Sequence, residues 1–120
     1  MSPLTFNRST TSRLTLLRKI WRTINAAEEI FAELGGRETK IDILVNNVGH
    51  GSRGKSWEMP IEQDISMVRL NIEAVLRLTK YFLPPMVQRR SVRILNVGSV
   101  AGFNPGPILN VYHATKTFVD

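Results

Sequence analysis

With 120 residues there is room for one small domain, and a hydrophobic share of 42% with a charged share of 22% is ordinary for a globular chain. The absence of cysteine excludes disulfides and thiolate metal sites, and His50 and His113 stand too far apart to suggest a metal centre. A net charge of +6 is compatible with a phosphorylated ligand or with a plain basic surface, and no apolar run is long enough to span a membrane.

Leu14, Leu17, Trp21 and Ile24 recur at helical spacing and predict an amphipathic helix over Ser12–Ile24. The first 25 residues hold Arg8, Arg13, Arg18, Lys19 and Arg22 and no acidic residue, which reads either as a short basic helix or as a mitochondrial presequence. A second helix should open at Asn25, with Glu28 completing a capping box and Ile30, Phe31 and Leu34 on its apolar face. Gly35-Gly36 should stop it through the left-handed conformation. The run Ile41–Val45 suits a buried parallel strand, and Asn46–Lys55 a loop. Pro60 fits the first turn of a long helix that should bury Ile61, Ile65, Val68, Ile72, Val75, Leu78 and Phe82, until Pro84-Pro85 kinks or ends it. A second buried strand is expected over Val92–Val97, then a glycine- and proline-rich loop over Gly98–Pro107 and a last helix opening near Tyr112. Strand, helix, strand makes a βαβ unit, and hence an α/β fold with a parallel sheet.

Gly49-His50-Gly51-Ser52-Arg53-Gly54 matches GxGxxG after a strand, the pattern of a pyrophosphate cradle. Helix-forming sequence resumes only after Pro60, however, so no helix N-terminus faces these glycines. A loop at the carboxyl end of a strand, where open α/β sheets bind ligands, is the better reading.

Tyr112 and Lys116 lie four residues apart at a helix start and share one face. A neighbouring ammonium favours phenolate over phenol, which suits a tyrosine to exchange protons with a hydroxyl or carbonyl. Ser99 leaves the end of a strand and is placed to donate to the same oxygen. Together with Asn46-Asn47-Val48-Gly49 and Leu70-Asn71-Ile72, and with Ser99 thirteen residues before Tyr112, these motifs resemble the NNAG, asparagine, serine and YxxxK elements of short-chain dehydrogenases/reductases. The likeness spans Asn25 to Asp120. The stretch Ile94–Asp120 further resembles a subgroup containing hydroxysteroid dehydrogenases and very-long-chain 3-oxoacyl-CoA reductases.

The resemblance implies an NAD(P)-dependent oxidoreductase with the catalytic tetrad Asn71, Ser99, Tyr112 and Lys116. Tyr112 would be the general acid or base, Ser99 would polarise the substrate oxygen, Lys116 would hold the nicotinamide ribose, and Asn71 would hold a relay water. Asn46 and Gly49, with Tyr112 and Lys116, would line the cofactor. NADP is favoured over NAD because Arg8 or Arg13 would suit a 2′-phosphate. The implied substrate is an apolar carbonyl or secondary alcohol, and an intact member of the family would form a homo-oligomer. The family's TGxxxGxG has no counterpart here. The expected fold is therefore a partial Rossmann-like, doubly wound parallel sheet with helices on both faces, lacking the first βα unit and the last strands. Residues 1–24 would form a divergent basic segment and residues 25–120 the central catalytic part. The alternative is an inactive fragment that acts by associating with an intact homologue. Nucleic-acid binding is not expected, since no aromatic stacking pattern accompanies the arginines. A cytoplasmic location is expected, with a mitochondrial one as the alternative.

Overall fold

The computed structural model describes residues 24–36 and 39–120, so Arg8, Arg13 and all but the last residue of the helix expected over Ser12–Ile24 lie outside it. Helix α1 (Ala26–Gly36) opens as expected after Asn25, whose carbonyl accepts from the Glu29 amide at 3.0 Å. Glu28 and Glu29 in its first turn face the positive end of the helix dipole. The helix ends at Gly36, and its stop continues into residues 37–38, which lie outside the described residues; beyond them the Thr39 amide donates to the Leu34 carbonyl at 3.0 Å.

Strands β1 (Leu44–Asn46) and β2 (Ile94–Asn96) pair in parallel, with Leu44 opposite Ile94 and Asn46 opposite Asn96. Both are shorter than the runs Ile41–Val45 and Val92–Val97, because among the described residues each strand has one neighbour to define its ladder. Their expected burial also fails. Side chains alternate across a sheet; Leu44 packs against the core, whereas Ile43, Val45 and Leu95 are more than half exposed. Among the described residues, no element covers that second face.

The crossover is one long rod: α2 (Ile61–Val68), a π-helical turn (Arg69–Ala74) and α3 (Val75–Gln88). Pro60 caps it from outside, with extended φ and ψ of −62° and 135°, and does not occupy the first turn. After the π-turn the expected stripe holds, and Val75, Leu78 and Phe82 are buried. Before it the expectation is wrong: Ile61, Ile65 and Val68 are exposed, and Met67 is buried instead, followed by Leu70 and Asn71 within the turn itself. A π-turn is wider than an α-turn and slips the helical register, so one apolar stripe cannot face inward along the whole rod. Leu78 and Phe82 form the core with Ala27 and Ile30 of α1, and Phe31 packs edge-on against Phe82 at 5.3 Å between ring centres.

Pro84-Pro85 does not end the rod, which runs on to Gln88. Its stop is a Schellman motif: Ser91 N–H donates to the Met86 carbonyl at 3.0 Å and Arg90 N–H to Val87 at 2.9 Å, with Arg90 left-handed at φ 54°. Beyond β2 come a single 3₁₀ turn (Val100–Phe103) and α4 (Asn110–Val119), which begins two residues before Tyr112.

A polar cluster joins α1 to the rod. Arg77 donates to Glu28 at 2.6 Å and to Glu73 at 2.8 Å, and the Tyr81 hydroxyl donates to Glu28 at 2.9 Å. A backbone hydrogen bond, then those from Tyr81 and Arg77, hold the Glu28 carboxyl below its ordinary range against a partial desolvation penalty. The same contact with Glu28 pushes the Tyr81 phenol up. No described helix is long and apolar enough to cross a membrane.

Candidate active site

Both strands end at one edge of the sheet, where the Val97 amide donates to the Asn46 carbonyl at 2.9 Å. Asn46 is 2% exposed and points away from the edge. Its Nδ2 donates to Thr79 Oγ1 of α3 at 3.1 Å and to Asn96 Oδ1 at 2.8 Å, so its side chain braces the sheet against the crossover.

The loop that follows β1 is fixed by Asn71. This side chain, with no exposed surface, accepts from the His50 amide at 3.0 Å and donates to the His50 carbonyl at 2.9 Å. Its second Nδ2 hydrogen goes to Thr115 Oγ1 at 2.9 Å, and Thr115 in turn donates to the Tyr112 carbonyl at 2.8 Å. Asn71 thus ties three pieces together: the glycine loop, the π-turn that carries it and the helix that carries Tyr112. Both of its donors are committed, and one lone pair on Oδ1 remains.

The glycines now have an explanation other than a phosphate. A Cβ on Gly49 would sit 3.2 Å from both Asn71 Oδ1 and Lys116 Nζ, and one on Gly51 would sit 3.1 Å from the Tyr112 ring. The loop lies directly on the expected tetrad and needs glycine for that closeness. No helix opens at these glycines, since α2 begins only at Ile61. Gly54 N–H donates to the Ile108 carbonyl at 2.9 Å and Asn110 Nδ2 to Ser56 Oγ at 2.6 Å, so the loops following the two strands are joined.

Lys116 is 7% exposed, and its Nζ donates to the Val97 carbonyl at a long 3.4 Å. An ammonium has three donors, and a buried charge without full hydrogen bonding is costly. Two donors therefore remain for a polar ligand at the sheet edge. Ser99 Oγ accepts from the Ala101 amide at 3.1 Å, which leaves its own hydrogen to donate outward. Gly49, Asn71 and Lys116 are thus gathered at one place with Tyr112 beside Gly51, and Ser99 stands on the loop that follows β2, two residues after Val97, whose carbonyl accepts from Lys116. Among the described residues, no cluster of histidine and carboxylate side chains could hold a metal.

Thr115, Thr79 and Asn96 were not legible as site residues. Thr115 stands inside the YxxxK segment, three residues after Tyr112, where a threonine hydroxyl can bond back to its own helix. That spacing was the available signal.

A family model described as short chain dehydrogenase matches residues 13–120. A very-long-chain 3-oxoacyl-CoA reductase of Laccaria bicolor is 40% identical over 98 residues, covering 78% of this chain and 29% of the relative. The NADP-dependent 3-hydroxy acid dehydrogenase YdfG of Escherichia coli K12 is 38% identical over 102 residues, covering 78% of this chain and 38% of the relative. Among solved structures, the closed form of serine dehydrogenase complexed with NADP+ superposes with a TM-score of 0.73 at 38% identity, covering 82% of this chain and 40% of that one. The chain spans roughly a third of the length of the curated relatives it matches.

Proposed function

The chain belongs to the short-chain dehydrogenase family, and we propose that its site performs the proton transfer of an NADP-dependent reduction of a carbonyl, or of the reverse oxidation of a secondary alcohol. Lys116 carries this reading: it is a buried ammonium with two uncommitted donors, beside Gly49 and on the helix of Tyr112. Such a group fits the paired hydroxyls of a ribose. The cofactor, when bound, supplies the hydride, and the protein supplies binding and geometry.

In reduction, the Tyr112 hydroxyl gives its proton to the oxygen of the substrate, and the Lys116 charge stabilises the phenolate left behind. The outward hydrogen of Ser99 donates to the same oxygen as negative charge grows on it. Asn71 keeps the glycine loop and α4 in register, and its remaining lone pair on Oδ1 is the acceptor available to a relay water. NADP is favoured because two relatives are named for it. A 3-oxoacyl or 3-hydroxy acid derivative is the substrate class, by likeness to the named relatives. Following NADPH oxidation with a panel of 3-oxoacyl esters tests this. Turnover that disappears in Y112F supports the mechanism, and turnover retained in Y112F removes it.

A second reading, association with an intact family member or with another copy, is favoured by one observation. Ile61, Ile65, Val68 and Leu76 are all exposed and follow one stripe of the long rod. Sedimentation of wild type against I65E/V68E tests it. A wild-type dimer that becomes monomeric in the variant supports it, and a wild-type monomer refutes self-association.

A further inference from the structure

α4 presents a second stripe beside the one that bears Tyr112 and Lys116. His113, Thr117 and Asp120 follow one another at helical spacing, and each grips the loop that starts at Gly98. Asp120 Oδ1 accepts from the Ser99 amide at 3.0 Å. Thr117 Oγ1 lies 2.8 Å from the Gly102 carbonyl and 3.0 Å from the His113 carbonyl of its own helix, and its single hydrogen is shared between them. His113 Nδ1 bonds the Asn104 carbonyl, which fixes the hydrogen on that nitrogen. The glycines of the loop fit the same three side chains. A Cβ on Gly98 or Gly102 would collide with the Asp120 carboxylate, and one on Gly106 with the His113 ring. Three side chains and three glycines therefore interlock along one turn after another.

We propose that His113, Thr117 and Asp120 are positioning residues that set Ser99 against Tyr112. Ser99 lies on a loop and Tyr112 on a helix, and one oxygen must meet both. The Asp120 carboxylate holds the Ser99 main chain, and the Ala101 amide holds the Ser99 hydroxyl, so the direction of that hydroxyl is set from α4. The three residues bond the main chain of the loop that carries Ser99. They act through Ser99, and the proposal rests on the oxidoreductase reading above.

Amide hydrogen exchange and turnover, measured on the same variants of this chain, test the proposal. In D120A, exchange at Ser99 should quicken about tenfold, the loss of one charge-assisted hydrogen bond, with α1 and α3 amides unchanged. D120N, whose side-chain oxygen still accepts, should restore protection. With a 3-oxoacyl ester and NADPH, D120A should lower kcat with little change in the KM for NADPH, and should have no further effect in an S99A background. Unchanged Ser99 exchange in D120A, or additive loss in the double variant, overturns the proposal. If D120A does not fold, T117V makes the same comparison at the amides of Ser99 and of Gly102, whose N–H donates to the Ser99 carbonyl, with the same criteria. A wild-type chain without turnover counts against the oxidoreductase reading, and the exchange result still decides whether the stripe holds Ser99.

Discussion

Replacing Asn71 by alanine tests the hub of the site. Three hydrogen bonds end on this buried amide: two on the His50 main chain and one on Thr115. At about 1 kcal/mol each, their loss predicts destabilisation of about 3 kcal/mol, and more if the His50 groups stay shielded from water. That is a large fraction of the roughly 5–15 kcal/mol typical of a domain, and it should move a urea midpoint by about 1–2 M. T115V removes only one of the three bonds and should cost about 1 kcal/mol. Since the bond from Asn71 to Thr115 is lost in either single variant, N71A/T115V should be less destabilised than the sum of the two by about 1 kcal/mol. Equilibrium urea unfolding of the four proteins measures all of these. An N71A penalty below about 1 kcal/mol, or strict additivity, would refute the view that Asn71 ties the glycine loop to α4.

R90G should stabilise the chain by about 0.5–1 kcal/mol, because relief of the left-handed strain at φ 54° outweighs the added chain entropy; thermal unfolding reads this. The Glu28 carboxyl is held low, so its contribution to stability is present above the unfolded-state value and is lost as pH falls through the folded one. Melting temperatures from neutral to acid pH should therefore fall more steeply in wild type than in E28Q, and parallel curves would contradict this. F82A, in the core with Ala27, Ile30 and Leu78, should cost about 3–5 kcal/mol in the same unfolding assay. G49A places a methyl group 3.2 Å from both Lys116 Nζ and Asn71 Oδ1, so it should weaken NADPH binding and cost about 1–3 kcal/mol of stability.

The order of elements was legible, and the candidate site residues could be named, because the motifs carry local chemistry. YxxxK places two side chains on one helical face wherever the helix sits, and the glycine loop followed from its composition. The buried face of the crossover was half legible. The apolar stripe through Ile61, Ile65 and Val68 is real, but the π-turn at Arg69–Ala74 directs it outward, and nothing in the spacing announces a π-turn. Strand burial was misjudged for another reason: continuous apolar runs presuppose a covering on both faces, and Val45 and Leu95 lack one among the described residues. The double proline misled because a helix can absorb proline in its closing turns, where Arg90 and Ser91 complete the stop. Asn46 has the identity expected of a cofactor-lining residue, yet its bonds go to Thr79 and Asn96.

Lys116, a buried ammonium with one long hydrogen bond to the Val97 carbonyl, is the group proposed to hold the cofactor. Titrating NADPH into wild type and K116M, by fluorescence, measures this directly. A contact made by a buried charge is worth about 1.5–3 kcal/mol, so K116M should bind NADPH at least about tenfold more weakly than wild type. Equal affinity in the two proteins would show that the ammonium does not hold the cofactor, and the assignment of the site would fail with it.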